Sequence, residues 1–299
     1  MPPATEDRNE RTASIDLVPT EEVLRLLNAE DATVAGAVAA ILPGLATVVD
    51  RVVERLRAGG RVHYFGAGTS GRLGVLDAAE VPPTFGLEPG VFVAHHAGGY
   101  QALVTAVEDA EDDDTLGAAD ARAVYAADVA IGITASGRTP YVAGALRRSR
   151  SAGALTVLIS SNPAAPLGPL ADHRVLVDTG PEAIAGSTRL KAATAQKLVL
   201  NALSTAAMVR LGRTYSNLMA GISGTSAKLR HRQQQILREA TGASAAACGD
   251  ALERCGGDLR QALVCLLSGR EPAAAADALA NAGGSVRAAL ARLAGAGQT

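Results

Sequence analysis

The chain has 299 residues, 48% hydrophobic and 19% charged, with a net charge of −2. That is enough to bury one substantial core and perhaps a small second domain, and it gives no global attraction for nucleic acid or an anionic membrane. Aromatic residues make up only 3% and Trp is absent, which argues against a stacking platform for bases or unphosphorylated sugars.

The amino terminus, Met1 to Arg8, has no apolar stretch of the signal-peptide kind, and no later run of ~18 uncharged apolar residues ends in membrane-type flanks, so a cytoplasmic protein is expected. Beyond a polar arm, Thr20 offers a helix cap, and Val23, Leu24, Leu26 and Leu27 recur at helical spacing. A second helix follows from Ala32 to Ala58, and Gly59 and Gly60 end it. Short apolar runs then alternate with helical patterns. Arg61 to Phe65, Val91 to Ala94, Val129 to Thr134, Leu155 to Ser160 and Arg174 to Asp178 read as strands, so the chain is expected to form an α/β fold with a five-stranded parallel sheet covered by helices on both faces.

Ligands of such sheets sit beyond the carboxyl ends of the strands, and three turns there are rich in hydroxyls. The first runs from Gly66 through Gly68, Thr69, Ser70 and Gly71 and opens a helix near Thr69 or Ser70, so free N–H groups, the positive helix end and two hydroxyls face an anion. Gly66, Gly68 and Gly71 also fit a dinucleotide-binding spacing or a plain sharp corner, but the next strand ends in His95 and His96 where a dinucleotide site wants an acid. The second turn carries Thr134, Ser136 and Thr139 around Gly137, with Pro140 in the first turn of the next helix. The third, Gly180 to Arg189, places Ser187 and Thr188 at the start of a long helix, Leu190 to Leu211. Together they read as a sugar-phosphate site.

A further helix, roughly Tyr215 to Ala240, carries Lys228, Arg230, His231, Arg232 and Arg238, which read as a solvated basic face before a phosphate-binding one. Past Gly242 three short helical segments are expected, and Gly256 to Leu267 and Gly283 to Leu290 look like related cap-plus-helix units. The division expected is an arm with helices, 1–60, a sugar-phosphate-binding domain, 61–241, and a small helical module resembling ubiquitin-associated domains, 242–299. Cys248, Cys255 and Cys265 include no Cys-x-x-Cys pair and read as buried apolar residues; apart from the adjacent His95 and His96, which point to opposite faces if they lie in a strand, the five histidines show no ligand spacing, and no metal is expected.

Thr5 to Thr12, the Gly66 to Gly86 block with its Glu80-Val-Pro-Pro-Thr-Phe-Gly86 end, Ala110 to Asp113, the Ser136 turn, Gly180 to Lys197 and Tyr215 to Met219 together resemble the N-acetylmuramic acid 6-phosphate etherases, sugar-isomerase (SIS) domain proteins related to glucokinase regulatory protein. The likeness covers nearly the whole chain. Val81 stands where that family usually has Cys, and the segment after Met219 also departs from it.

The resemblance implies cleavage of the lactyl ether of N-acetylmuramic acid 6-phosphate to N-acetylglucosamine 6-phosphate and D-lactate, with no metal or redox cofactor, and Glu80 and Glu111 as the acid/base pair. The phosphate and sugar would be held by Gly68, Thr69, Ser70, Gly71, Ser136, Gly137, Thr139 and Ser187. A sugar-phosphate isomerase shares the C2 proton transfer, and a sugar-phosphate-sensing regulator would share the pocket without turnover. If the helix is unbroken from Ser70 to Glu80, about 1.5 Å per residue puts them roughly 15 Å apart, longer than a hexose phosphate. A homodimer in which Glu80 serves the neighbouring subunit's site is therefore expected.

Overall fold

The computed structural model describes residues 3–295 except 106, 108 and 225. Two helices, α1 (Thr20–Asp31) and α2 (Val34–Arg57), precede the sheet. The chain then runs β1 (Val62–Gly66), α3 (Gly68–Phe85), β2 (Phe92–His96), α4 (Gln101–Val104), α5 (Asp114–Asp120), β3 (Val129–Thr134), α6 (Pro140–Ser151), β4 (Leu155–Ser160), β5 (His173–Leu176) and α7 (Lys191–Arg210). Five helices complete it: α8 (Ala227–Thr241), α9 (Ala245–Arg254), α10 (Leu259–Ser268), α11 (Pro272–Asn281) and α12 (Val286–Gly295).

All four strand pairings are parallel and the order is β2-β1-β3-β4-β5. The inner strands β1, β3 and β4 are buried along their whole length, which is why they read as continuous apolar runs, whereas the edge strands β2 and β5 are partly exposed. From β1 the chain crosses through α3 to β2 on one side, while β3, on the other side of β1, sends α6 outward to β4. Right-handed crossovers in opposite directions make the loops after β1 and β3 diverge and leave a crevice at the carboxyl edge.

Helices α5 and α6 cross at backbone contact. A Cβ on Gly117 would lie 1.9 Å from the Tyr141 carbonyl oxygen, and one on Gly144 would lie 1.8 Å from that of Asp114. The Tyr141 hydroxyl donates to Asp120 at 2.6 Å beside this crossing.

The chain divides into two compact units, Met1–Ala79 with Gly90–Ser204, and Glu80–Pro89 with Thr205–Thr299. The second unit corrects two expectations. Its helix α8 starts at Ala227, not near Tyr215: Tyr215 and Leu218 exchange backbone hydrogen bonds at 3.0 Å, Ser216 has φ +52°, and the Gly221 backbone lies against Phe85, so the segment is pinned as a turn. Four short helices, not three, follow Gly242.

They form two hairpins offset by 27 residues: Gly257 N–H donates to Leu252 O and Gly284 N–H to Leu279 O, each at 2.8 Å, and Asp258 and Ser285 cap the second helix of each pair. The second unit's core gathers around Leu237, Cys248, Leu263 and Val264. The basic residues of α8 are exposed, as a solvated face requires, and of the three free cysteines two are buried and Cys265 is half-buried.

By length and composition alone, Thr20–Arg57 would qualify as a membrane span, with mean hydropathy 2.0 in its most apolar window and only 28% of that window buried. The expectation of no such run thus needs correcting. Val34, Val38, Leu45, Val48 and Val52 are buried, while Ala35, Ala39, Leu42 and Ala46 on the same helix are exposed.

Because no rotamer relieves a backbone clash, Gly144→Ala should destabilise the protein by about 2 to 3 kcal/mol, the cost of overpacking. Denaturant unfolding measures it, against Gly36→Ala on α2, where a Cβ meets nothing within 4 Å.

Candidate functional site

The turn after β1 is built by glycines with separate duties. Gly68 takes φ +52°, which a side chain resists. Gly66 and Gly71 bring strand end and helix start together: a Cβ on Gly71 would lie 2.5 Å from the Gly66 carbonyl oxygen and 2.5 Å from the His96 ring. His96, buried at the end of β2, sets a ring nitrogen 3.1 Å from Gly68 O and the other 2.7 Å from Ala97 O. Helix α3 therefore starts where Thr69 and Ser70 point into the crevice, with its first N–H groups free for an anion.

The turn after β3 is held from β4. Thr134 Oγ1 lies 2.8 Å from Thr139 Oγ1 and accepts Gly137 N–H at 3.2 Å, and Ser136 Oγ accepts Arg138 N–H at 3.2 Å. Asn162, just past β4, donates its side-chain amide to Ser136 O at 2.8 Å, and Ser160 Oγ donates to Ala135 O at 3.2 Å. Gly137, at φ +70°, has no room for a Cβ, which would lie 2.4 Å from that of Ala165.

After β5 the cap of α7 differs from the one expected. Buried Glu182, not Ser187 or Thr188, accepts the Lys191 and Ala192 N–H groups, each at 2.9 Å, and burial pushes its carboxyl above the usual range. Ser187 and Thr188 occupy the turn before the helix.

The amino-terminal arm packs against this loop: Gly186 N–H donates to Thr5 O at 2.9 Å, Thr12 Oγ1 to Ala183 O at 2.7 Å, and Asn9 to Pro181 O at 3.4 Å. Beneath it Glu30, 2% exposed, accepts from Arg11 at 2.5 and 2.8 Å and from Lys191 Nζ at 2.8 Å. These cations, Arg11 first, hold its carboxyl down at about 2 against burial that acts the other way.

Between the three turns lies a cleft of about 570 Å³. It brings together Gly68, Thr69, Ser70, Glu111, Ser136 and Thr139 among the residues singled out from sequence. Thr188 lines it where Ser187 was expected; Gly71 and Gly137 shape the turns from behind. Glu6, Asp112 and Arg138 also line it, and none of these was singled out.

Glu111 sits in a single helical turn, Ala110–Asp112, entered from Asp109 at φ +63°, and its carboxylate has no hydrogen-bond or ion-pair partner among the described residues. Glu80 does not line the cleft. Helix α3 runs unbroken from Gly68 to Phe85, and Glu80 is exposed ten residues beyond Ser70. Hollows of about 640 and 620 Å³ lie within the second unit but contain no hydroxyl-rich turn at a strand end.

The chain matches the glucokinase regulatory protein N-terminal SIS domain over residues 44–150. It is 62% identical over 264 residues to N-acetylmuramic acid 6-phosphate etherase of Thermobifida fusca (88% of this chain, 87% of the relative). It is 51% identical over 267 residues to the etherase of Rubrobacter xylanophilus, 89% of each chain. Among solved structures a phosphoheptose isomerase from Francisella tularensis shares the fold, with TM-score 0.53 and 16% identity over 64% of this chain and 100% of that one.

Removing one partner of the buried Glu30 network should cost about 3 to 5 kcal/mol at pH 7 in Glu30→Gln, since Lys191 is then buried uncompensated. Because the folded pKa is depressed, wild-type stabilisation is complete above about pH 4.5 and fades as pH falls towards 2, so the gap between variant and wild type should close over that window. Denaturant unfolding at pH 7, 4 and 2.5 measures this.

Proposed function

The chain belongs to the N-acetylmuramic acid 6-phosphate etherase family, and from that premise we propose how its cleft works. Its function is that of an etherase in cell-wall amino-sugar recycling, removing the D-lactyl group of N-acetylmuramic acid 6-phosphate to leave N-acetylglucosamine 6-phosphate. The observation that carries this is 62% identity across 88% of the chain.

An alkyl ether resists direct hydrolysis. In the open-chain sugar, however, C2 adjoins the C1 aldehyde and the lactyl oxygen leaves from C3. Removing the C2 proton expels lactate and gives an unsaturated aldehyde; water then adds at C3 and the proton returns to C2. On this reading the enzyme is a carbon-oxygen lyase that needs one group to move the C2 proton and one to protonate the departing oxygen.

Thr69, Ser70, Ser136 and Thr139 hold the phosphate, with the glycines giving main-chain N–H groups access to it. Glu111 moves a proton in the same cleft, and its lack of a partner among the described residues supports that role. Glu80 is the proton donor, acting in the site of a second copy. Two observations support that homodimer: the ten-residue separation along α3, about 15 Å, and the apolar side of α2, whose exposed Leu42 and alanines suit burial against a second copy. We propose a cytoplasmic location, where the phosphorylated sugar would be supplied.

Three outcomes are expected. Wild-type protein should release D-lactate and N-acetylglucosamine 6-phosphate in equal amounts, where an isomerase would release no lactate. Glu111→Gln should lower kcat by about 10²- to 10⁴-fold, the usual weight of one acid/base group. Ser70→Ala, losing a hydrogen bond to a charged oxygen, should raise KM about 10-fold or more, and mixing it with inactive Glu80→Gln should restore activity above that of either alone; no restoration contradicts the shared site.

A further inference from the structure

The roles above leave two cleft carboxylates unused, Glu6 and Asp112, and Glu6 alone of them comes from the amino-terminal arm. Glu6 ends a single turn of helix, Ala4–Glu6, in the amino-terminal arm, and it lines the same cleft as Ser70, Ser136 and Glu111. Its carboxylate makes no hydrogen bond or ion pair among the described residues. That sets it apart from Glu30 and Glu182 close by, whose oxygens are fully engaged in holding the arm and the α7 loop.

Its position is nonetheless fixed. Thr5, immediately before it, is fully buried and accepts Gly186 N–H at 2.9 Å, while Asn9 and Thr12 bond the same loop. Gly186, at φ +75°, leaves the space that the carboxylate occupies: a Cβ there would lie 2.9 Å from Glu6 Oε2. The arm thus presents an unpartnered acid to the cleft from an anchored backbone, so that little ordering is left to be done when a ligand binds.

We infer that Glu6 is a substrate-contacting residue that accepts a hydrogen bond from a neutral donor of the bound amino sugar, a hydroxyl or an amide N–H, and so orients the sugar above its phosphate. This rests on the etherase reading of the cleft. The chemistry of the ligand fixes the kind of contact. An ionised carboxylate only accepts, and both the phosphate and the lactyl carboxylate are anions that it repels. What remains for Glu6 is an O–H or N–H on the sugar itself. Repulsion also favours one orientation, with the phosphate in the helix-start turn and away from the arm. Glu6 then distinguishes a sugar phosphate from phosphate alone.

Binding of N-acetylglucosamine 6-phosphate and of inorganic phosphate to wild type, Glu6→Gln and Glu6→Ala, measured by calorimetry, tests the inference together with lactate-release kinetics. Glu6→Ala should bind the sugar phosphate about 10- to 100-fold more weakly, the value of a hydrogen bond to a charged group. Inorganic phosphate should bind it no less tightly than wild type. KM should rise while kcat changes by less than about 5-fold, a split expected when ground state and transition state lose the same contact. Glu6→Gln, whose amide oxygen still accepts, should fall between the two, and neither variant should lose thermal stability.

Unchanged sugar-phosphate affinity in Glu6→Ala overturns the inference, as does equal weakening of inorganic phosphate, a loss confined to kcat, or an unfolded variant. A wild-type protein that binds the sugar phosphate but is matched by Glu6→Ala defeats only the role of Glu6. One that neither binds it nor releases lactate defeats the etherase reading too.

Discussion

The structure depends on the reversal of the sheet's growth between β1 and β3, from which the crossovers leave in opposite directions. Two adjacent parallel strands whose crossovers leave in opposite directions cannot close the space above their carboxyl ends, and the two turns that face each other across the cleft follow from that gap. The turn after β1 forms one wall and the turn after β3 the facing one. Close backbone approaches at Gly66, Gly71 and Gly137 shape both turns, which present short hydroxyls to the space between them.

Two groups of carboxylates in this protein contrast, those that hold the fold together and those that face the cleft. Asp77, Asp128, Asp172, Glu30 and Glu182 are tied to neighbouring groups. Asp77 accepts from Tyr64, Asn201 and Ser204, Asp128 from two backbone N–H groups, and Asp172 from Thr156. Asp77, Asp128, Glu30 and Glu182 are buried and satisfy donors that would otherwise be stranded in the core, where an unmade hydrogen bond is expensive. Glu6 and Glu111 line the cleft and have no hydrogen-bond or ion-pair partner among the described residues. Carboxylates without partners beside a helix start suited to an anion are an electrostatic liability unless a ligand uses them, which is the use proposed for them above.

How much of this the residues foretold follows from the range of the forces involved. The five strands came within a few residues of their observed limits, most closely at β3 and β4, where burial on both faces leaves an uninterrupted apolar run. The turns were legible because glycine spacing and hydroxyls record a local backbone need. Glu182 was not, since its partners at Lys191 and Ala192 lie nine and ten residues away and a cap at that distance leaves no short-range signature. Glu6 was missed for the same reason: only folding brings the arm to Gly186. The helix expected from Tyr215 failed because its early residues are pinned as a turn against the backbone around Phe85, a contact that helical propensity cannot foresee.

The central claim is that the ether is cleaved by elimination followed by hydration, with carbon-oxygen bond breakage at C3 of the sugar. Turnover of N-acetylmuramic acid 6-phosphate in water enriched in both heavy oxygen and deuterium tests it directly, with mass spectrometry of both products. The account predicts heavy oxygen at C3 and deuterium at C2 of N-acetylglucosamine 6-phosphate, and D-lactate whose former ether oxygen is unlabelled. Heavy oxygen in the lactate hydroxyl, with an unlabelled sugar, would place bond breakage on the lactyl side and contradict it.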